Sequence, residues 1–377
     1  MSRVAPLTTP LLDGHALDDL RAALDGYTVD SVHELLGPLG RAAHERADLL
    51  GVERVLPSDD RVATLVRLFL LGEAVAESSA SAALAPLALD AADSLVSCSA
   101  GEVRARLEVR PYAADDAEQP WWVLSDFGSD VRPGPLADDH VLGIGAASLT
   151  LAQAVVRRPA GRALDLGTGC GVQALHLATH SQHVVATDVS DRALRMAATT
   201  AALSGQSWEL RVGSLLEPVA GSSFDAIVAN PPFVVSPGLA RGHGGFDYRD
   251  SGLAGDAVSA NLLRGIPGLL APDGTAALLV NWIVPRDGDW VERVEGWLAG
   301  TGCDAWIWQR EVVEPAAYVS LWLRDAGEVP GSPRWRDRYT RWLDWFDAAA
   351  PPGLFSEGFR LRQRGRTSAP AGRPRFP

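Results

Sequence analysis

The sequence predicts an α/β protein: a doubly wound, mostly parallel seven-stranded sheet, preceded by a mostly helical, winged-helix-like N-terminal module. Three observations carry this. Residues 15–95 are rich in Ala and Leu at helical spacing. Beyond residue 140, short apolar runs alternate with helical stretches. The first of those runs ends in a glycine-dense turn, Gly167-Thr168-Gly169-Cys170-Gly171.

In the N-terminal part, Leu17, Leu20 and Leu24 form one stripe, and Val62, Leu65, Val66, Phe69 and Leu70 another. Val103, Ala105, Leu107 and Val109 alternate, and with Trp121–Leu124 they read as short strands behind the helices. Residues 1–135 hold 11 Arg against 22 acidic residues. A duplex reader needs cations for phosphates, so packing or partner docking is favoured for this module. Residues 115–139, rich in Asp, Pro and Gly, read as a linker. The expected division is residues 1–135, then a sheet domain over 136–366 with a helical insertion at about 313–350. A basic, disordered tail follows over 367–377.

The strands of the second part follow in order. Ala163–Leu166 precedes the glycine turn, and Val172–Thr179 is helical. Val184–Asp188 is a strand, Asp191–Leu203 a helix, Trp208–Val212 a third strand and Phe224–Ala229 a fourth. A helix over Asp256–Leu270 leads to a strand at Thr275–Trp282, a helix at Trp290–Leu298 and a strand at Asp304–Glu311. Gly358–Gly365 is the last strand. Strands alternating with helices imply a parallel sheet covered on both faces, with ligands at the strand carboxyl ends.

Bulk composition narrows the class. The net charge of −13 argues against broad nucleic-acid binding. Cys98, Cys170 and Cys303 lie too far apart in sequence to suggest a disulfide framework or a metal site. No run approaches the length of a membrane span, and Met1–Leu12 lacks a signal-peptide pattern. A cytoplasmic protein without metal or membrane attachment is the expectation.

The glycine turn points to a cofactor. A dinucleotide turn reads G-x-G-x-x-G, but here the third glycine comes one residue early, with Asp165 ahead of the first. Asp165 and the spacing Gly167, Gly169, Gly171 fit a ligand carrying an ammonium and a carboxylate, S-adenosylmethionine. Asp188, about 20 residues on, is placed to accept ribose hydroxyls. Its alternative role is to cap the next helix.

The strand Phe224–Ala229 stops abruptly at Asn230-Pro231-Pro232-Phe233, where two prolines bar further pairing. Taken together, Asp165–Gly171, Asp188 and Asn230–Phe233 resemble a class I S-adenosylmethionine-dependent methyltransferase of the HemK-like, amino-methylating group (methyltransferase small domain). The resemblance covers residues 140–282, and Leu269–Gly274 also fits it. It implies a Rossmann-like sheet and a cofactor site of Asp165, Gly167, Thr168, Gly169, Gly171, Asp188, Val189, Ser214, Leu215 and Asn230. Many relatives carry an acidic residue after the third strand; here Ser214 or the backbone would have to hold adenine.

The motif Asn-Pro-Pro-aromatic implies methylation of a planar nitrogen. Asn230 and the carbonyl of Pro231 would accept its hydrogens, Pro232 would stiffen the turn, and Phe233 would stack on the flat group. The motif is shared by glutamine, adenine-N6 and guanine-N2 methyltransferases. Val234-Val235-Ser236-Pro237 most resembles the glutamine-methylating branch. The expected acceptor is therefore a protein glutamine, with an RNA or DNA base as the alternative. A non-catalytic binding protein on this scaffold is a second alternative.

Weaker signals remain. His176, His180 and His183 imitate a metal cluster without an acidic partner and read as a solvated helix end. His243-Gly244-Gly245 has no nucleophile elbow to serve. Gly238–Gly252, with Arg241, His243, Tyr248 and Arg249, reads as a substrate cover or a plain flexible loop. His140–Gly145 is a candidate cleft segment. Trp322, Trp335, Trp342 and Trp345 either shape a substrate pocket or anchor the insertion. From Arg334 onward, ten Arg face four acids, a possible nucleic-acid contact or a solvated tail.

Overall fold

In the computed structural model, the described residues are 8–114, 119–238, 245, 247–284, 289–349 and 353–363. Four helices open the chain. Asp13 starts α1 (Gly14–Ala23), Thr28 starts α2 (Val29–Glu45), Asp48 starts α3 (Leu49–Glu53) and Asp60 starts α4 (Arg61–Phe69). Each side chain accepts from an amide that has no partner inside its helix. Then come β1 (Ala74–Ala76), α5 (Glu77–Leu84), β2 (Val96–Ser99) and β3 (Glu102–Ala105). The three strands pair antiparallel in the order β1-β3-β2. This is the helices-then-hairpin arrangement expected of a winged-helix-like module. Its α5 reads Glu-Ser-Ser-Ala-Ser-Ala-Ala-Leu and carries no cation for a phosphate.

β4 (Glu108–Tyr112) and β5 (Trp121–Ser125) form a separate hairpin. Every residue of β5 is buried, so the linker expected over 115–139 is partly core structure. The reason lies outside the module. β5 packs on α8 (Asp191–Leu203), a helix of the sheet domain, and the Leu124 N–H donates to Thr200 Oγ1 at 3.2 Å. Leu11 N–H donates to Thr199 Oγ1, and the Arg21 guanidinium binds the carbonyls of Leu203 and Ala202 at the α8 C-terminus. One apolar core runs from Leu20, Tyr27 and Phe69 through Trp121 to Val172, Leu175, Met196 and Leu203.

The sheet domain begins with α6 (Ala146–Ala154), β6 (Ala160–Leu166), α7 (Val172–Ala178) and β7 (Ser181–Asp188). After α8 come β8 (Glu209–Val212), β9 (Phe224–Ala229), α9 (Ala257–Gly265) and β10 (Leu270–Val284). The chain closes with α10 (Trp290–Leu298), β11 (Cys303–Val313), α11 (Pro315–Asp325), α12 (Pro333–Ala349) and β12 (Gly353–Gln363). The seven strands lie in the order β11-β12-β10-β9-β6-β7-β8. Strand β12 runs antiparallel to both neighbours, while β10, β9, β6, β7 and β8 run parallel. The predicted doubly wound sheet is therefore present. The order in which strands are added reverses between β6 and β9, which run parallel with Leu166 opposite Ala229. Their next residues, Gly167 and Asn230, face one another at the topological switch point, where ligands bind in such sheets.

The predicted insertion is α11 and α12. Trp335 and Trp342 are buried with Tyr318, Val319 and Phe346, so they anchor the insertion. Val234 and Val235 belong to the same cluster, which ties the segment after Asn230–Phe233 to these helices. His176 is corrected from solvated helix end to core: it is 4% exposed, 2.8 Å from the Tyr112 hydroxyl and edge-on to Trp121. The tail over 367–377, with Arg241 and His243, lies outside the described residues.

Candidate active site

A cavity of about 520 Å3 opens over the carboxyl ends of β6, β7 and β9. Its size is that of a cofactor or small-molecule pocket. The floor is the glycine turn. Gly167, at φ +74°, leaves the Asn230 carbonyl and Pro231 Cα only 3.9 Å from where a Cβ would stand. Gly169 adopts φ +53° with open space before it, and its N–H donates to Asp188 Oδ2 at 2.9 Å. Asp188 Oδ1 accepts from Ser190 N–H at 2.9 Å, so this carboxylate braces the turn and the residue before α8, while the cap of α8 is Ser190, whose hydroxyl accepts from Ala193 N–H. Burial raises its pKa, against the pull of those amides.

Most expected site residues converge here. Gly167, Thr168, Gly169, Asp188, Val189, Ser214, Leu215, Asn230, Pro231, Pro232 and Phe233 all line the cavity. Leu215 takes the left-handed φ of +46°, which kinks the loop after β8. Asp165 and Gly171 do not line it, and their roles are corrected. Asp165 lies under the turn, 1% exposed, its Oδ2 accepting from Thr168 Oγ1 at 2.6 Å and Ala174 N–H at 3.0 Å. Burial lifts its pKa to about 7. Gly171, at φ +87°, makes room for Trp208: a Cβ there would meet the indole at 2.8 Å.

Other walls come from distant segments. His140, Gly143, Gly145 and Ser148 form one, as the cleft-segment expectation had it. Asp247, Tyr248, Arg249 and Asp250 form another, consistent with a substrate cover, and Trp322 and Asp325 of α11 complete it. The cover is bound to the catalytic turn. Val234 N–H donates to the Arg249 carbonyl at 3.1 Å, and Phe233 bridges antiparallel to Asp250. Val235 N–H donates to the Tyr318 hydroxyl at 2.8 Å, which α11 supplies. Trp322 meets Phe233 edge-on at 6.3 Å and lines the cavity, so it shapes the pocket while also packing against the insertion's apolar cluster.

Gln173, Asp247 and Asp325 escaped the sequence reading. Gln173 could have been noticed as the polar residue among the apolar positions of α7's first turn. Its Nε2 donates to the Ser148 carbonyl at 2.7 Å, and its buried Oε1 has no hydrogen-bond partner. Trp322 and Asp325 stand one helical turn apart, but nothing local says which way that face points. Cys170 also lines the cavity; burial pushes its thiol up to about 12, which keeps it protonated at neutral pH.

The donor set fits S-adenosylmethionine. A glycine cradle with room at Gly169, an orphaned acceptor at Gln173 Oε1 and a carboxylate at Asp188 match its carboxylate, ammonium and ribose in kind. No described group of His, Cys, Asp and Glu is arranged to hold a metal.

Fold and cavity together define a class I S-adenosylmethionine-dependent methyltransferase. The family described as "Methyltransferase small domain" matches residues 142–240, and a "Domain of unknown function (DUF7059)" matches residues 24–106. The chain is 32% identical over 220 residues to a release factor glutamine methyltransferase of Xylella fastidiosa, covering 56% of this chain and 74% of that protein. It is 34% identical over 137 residues to ribosomal RNA small subunit methyltransferase C of Citrobacter koseri, covering 35% of this chain and 38% of that protein. Among solved structures, a T. thermophilus 16S rRNA N2 G1207 methyltransferase in complex with AdoMet and guanosine aligns over 87% of this chain and 71% of its own, at 15% identity and a TM-score of 0.37. The chain belongs to the HemK-like S-adenosylmethionine-dependent N-methyltransferases of the methyltransferase small domain family. It is an enzyme of the transferase class, and its cofactor is S-adenosylmethionine.

Proposed function

We propose that this enzyme methylates the side-chain amide of a glutamine in a protein. The charge of the cavity is the observation that carries this choice over a nucleic-acid base. Its described charged lining is Asp188, Asp247, Asp250 and Asp325, against Arg249 alone. Arg249 is 1% exposed and already engaged by Asp250 and the Trp322 carbonyl. No cation among the described lining residues is left over for a phosphate, which nucleic-acid binders place near their target base. The relative acting on a release factor glutamine is also matched over most of its length, the ribosomal RNA relative over little. A cytoplasmic location, where a release factor would meet the enzyme, is part of this reading. Separately, no described helix is long and apolar enough to cross a membrane.

In this reading Gly167, Thr168, Gly169, Val189, Ser214 and Leu215 enclose the cofactor, Asp188 takes its ribose and Gln173 its ammonium. The bound cofactor supplies a methyl group on a cationic sulfur, whose departure needs no metal and no covalent enzyme intermediate. The amide nitrogen is a poor nucleophile because its lone pair is delocalised. The Asn230 side-chain oxygen and the Pro231 carbonyl accept its two hydrogens and turn the nitrogen toward the methyl. Both acceptors are fixed before substrate arrives: Pro231 and Pro232 lock the backbone, and Val234 and Val235 are hydrogen-bonded on either side. Phe233, with Trp322 behind it, covers the flat face of the amide.

The test is radiolabelled cofactor offered separately to a purified bacterial release factor and to ribosomal RNA. Label at a glutamine of the protein is expected. Label confined to RNA would overturn the glutamine reading.

A further inference from the structure

Assembling the site leaves one polar atom with nothing to do. His140 is 5% exposed and lines the cavity, and its Nε2 has no hydrogen-bond partner. A buried polar atom left open costs stability, so it calls for a reason. On the other side of the ring, Nδ1 stands 3.6 Å from Asp126 Oδ2. That carboxylate is gripped by Arg192 through contacts of 2.6 Å at both oxygens and by Val141 N–H at 2.8 Å.

The imidazole lines the same cavity as Asn230 and Phe233. Its ring meets Tyr248 edge-on, with centroids 5.7 Å apart. The Tyr248 hydroxyl donates to Asp325 Oδ2 at 2.7 Å, one turn along α11 from Trp322, which touches Phe233. Tyr248 also directly precedes Arg249, whose carbonyl holds Val234. A continuous chain of contacts therefore joins His140 to the turn that presents Asn230.

We propose that His140 Nε2 takes the proton that the acceptor nitrogen must lose on methylation. This rests on the reading of a planar NH2 acceptor given above. When the nitrogen forms its new bond to carbon, the carbon–sulfur bond breaks with its electron pair on sulfur, and the nitrogen is left with one proton too many. One of its two N–H bonds, turned away from its acceptor as the nitrogen becomes tetrahedral, then breaks, its electrons return to nitrogen, and Nε2 becomes N–H of an imidazolium, which later releases the proton to water. Asn230 and the Pro231 carbonyl accept hydrogen bonds but are too weakly basic to hold a proton at neutral pH. Asp325 and Asp250 are committed to Tyr248 and Arg249, and Asp188 to the Gly169 and Ser190 amides; Asp247 also lines the cavity, and Asp247→Asn should leave the acid limb of kcat in place. His140 is neutral and ready. Burial depresses its basicity most; Asp126 on the loop after β5, Asp325 on α11 and Asp139 on its own segment oppose this, while Arg192 on α8 adds to it. The result lies below the ordinary histidine range, so the lone pair is available at pH 7.

The experiment compares wild type with His140→Gln, on whichever acceptor, release factor or RNA, takes up label. The expected result is a fall in kcat of about 10²-fold with cofactor Kd, by calorimetry, within about threefold. The acid-side decline of wild-type kcat should vanish in the variant. Histidine-selective ¹⁵N NMR of the wild-type chain should show Nε2 unprotonated at pH 7. An unchanged kcat, an acid limb that persists in the variant, or a proton on Nε2 at pH 7 would each overturn the proposal. Should the variant misfold, the NMR measurement on wild type still decides. Label in RNA alone would end the glutamine reading, while the variant-to-wild-type ratio would still judge His140.

Discussion

Asn230 and Asp165 lie at the carboxyl ends of the neighbouring strands β9 and β6, yet they play opposite parts. Asn230 faces the cavity, and in the proposed function it acts through an uncharged oxygen. Replacing it with alanine removes one of two fixed acceptors, so kcat should fall by about 10²–10³-fold, with cofactor Kd within a few-fold by calorimetry. Equal loss of both would mean that Asn230 is structural. Asp165 is hidden beneath the turn. Burial raises its pKa to about 7, partly offset by the Thr168 hydroxyl and the Ala174 amide. An unfolded carboxyl titrates near about 4, so between about pH 4 and 7 the folded chain holds a proton that the unfolded chain releases. This group therefore subtracts stability as pH rises through that window. Asp165→Asn should narrow the difference between urea midpoints measured at pH 5 and pH 7.5; an unchanged difference would refute the assignment. The sequence made both residues visible, because Asp-x-Gly and Asn-Pro-Pro are chain-local patterns. It could not say which carboxylate faces a ligand and which faces the core. That depends on how a turn is tilted against helix α7.

At the level of elements, the cover segment and α11 hold the acceptor side together through the Tyr248–Asp325 hydrogen bond. Tyr248→Phe keeps the ring against His140 but frees α11. A hydrogen bond to a charged group contributes about 1.5–3 kcal/mol, so kcat/KM for the acceptor should fall about tenfold or more, with cofactor Kd unchanged. A matching loss of cofactor affinity would argue against this placement. Gly171→Ala tests the floor: a left-handed backbone and a Cβ 2.8 Å from Trp208 should cost about 1–3 kcal/mol in chemical denaturation. The glycine pattern was legible; its partner Trp208 was not, because strand β8 approaches the turn only through the sheet's tertiary order. The helices Asp191–Leu203 and Trp290–Leu298 and the strand Phe224–Ala229 were read with the bounds they have, since their apolar spacing and caps are local. The insertion was legible as helical, but Trp322 and Trp342 look alike in sequence and serve different ends.

For the whole molecule, the N-terminal module and the sheet domain share one apolar core. Residues 136–377 expressed alone should be insoluble or aggregate, because α8 and α7 would expose the face that β5, Tyr27 and Leu20 cover. Expressed together as two chains, residues 1–135 and 136–377 should copurify and bind cofactor. A soluble, cofactor-binding fragment 136–377 would contradict the shared core. The charge count already hinted that the module packs instead of reading a duplex. What it packs against was invisible in the sequence, because the contact pairs α1 with a helix nearly two hundred residues away.

Helix α8 is thus wrapped from both sides: Thr199 and Thr200 have no exposed surface, and its first turn starts at the Asp188–Ser190 loop. Any chimera between this chain and a relative with a different front half would have to transplant α8 along with that front half. The Asp188–Ser190 loop would travel with it, so the heritable boundary between the two halves runs through the wall of the cavity and not through the chain just before residue 136.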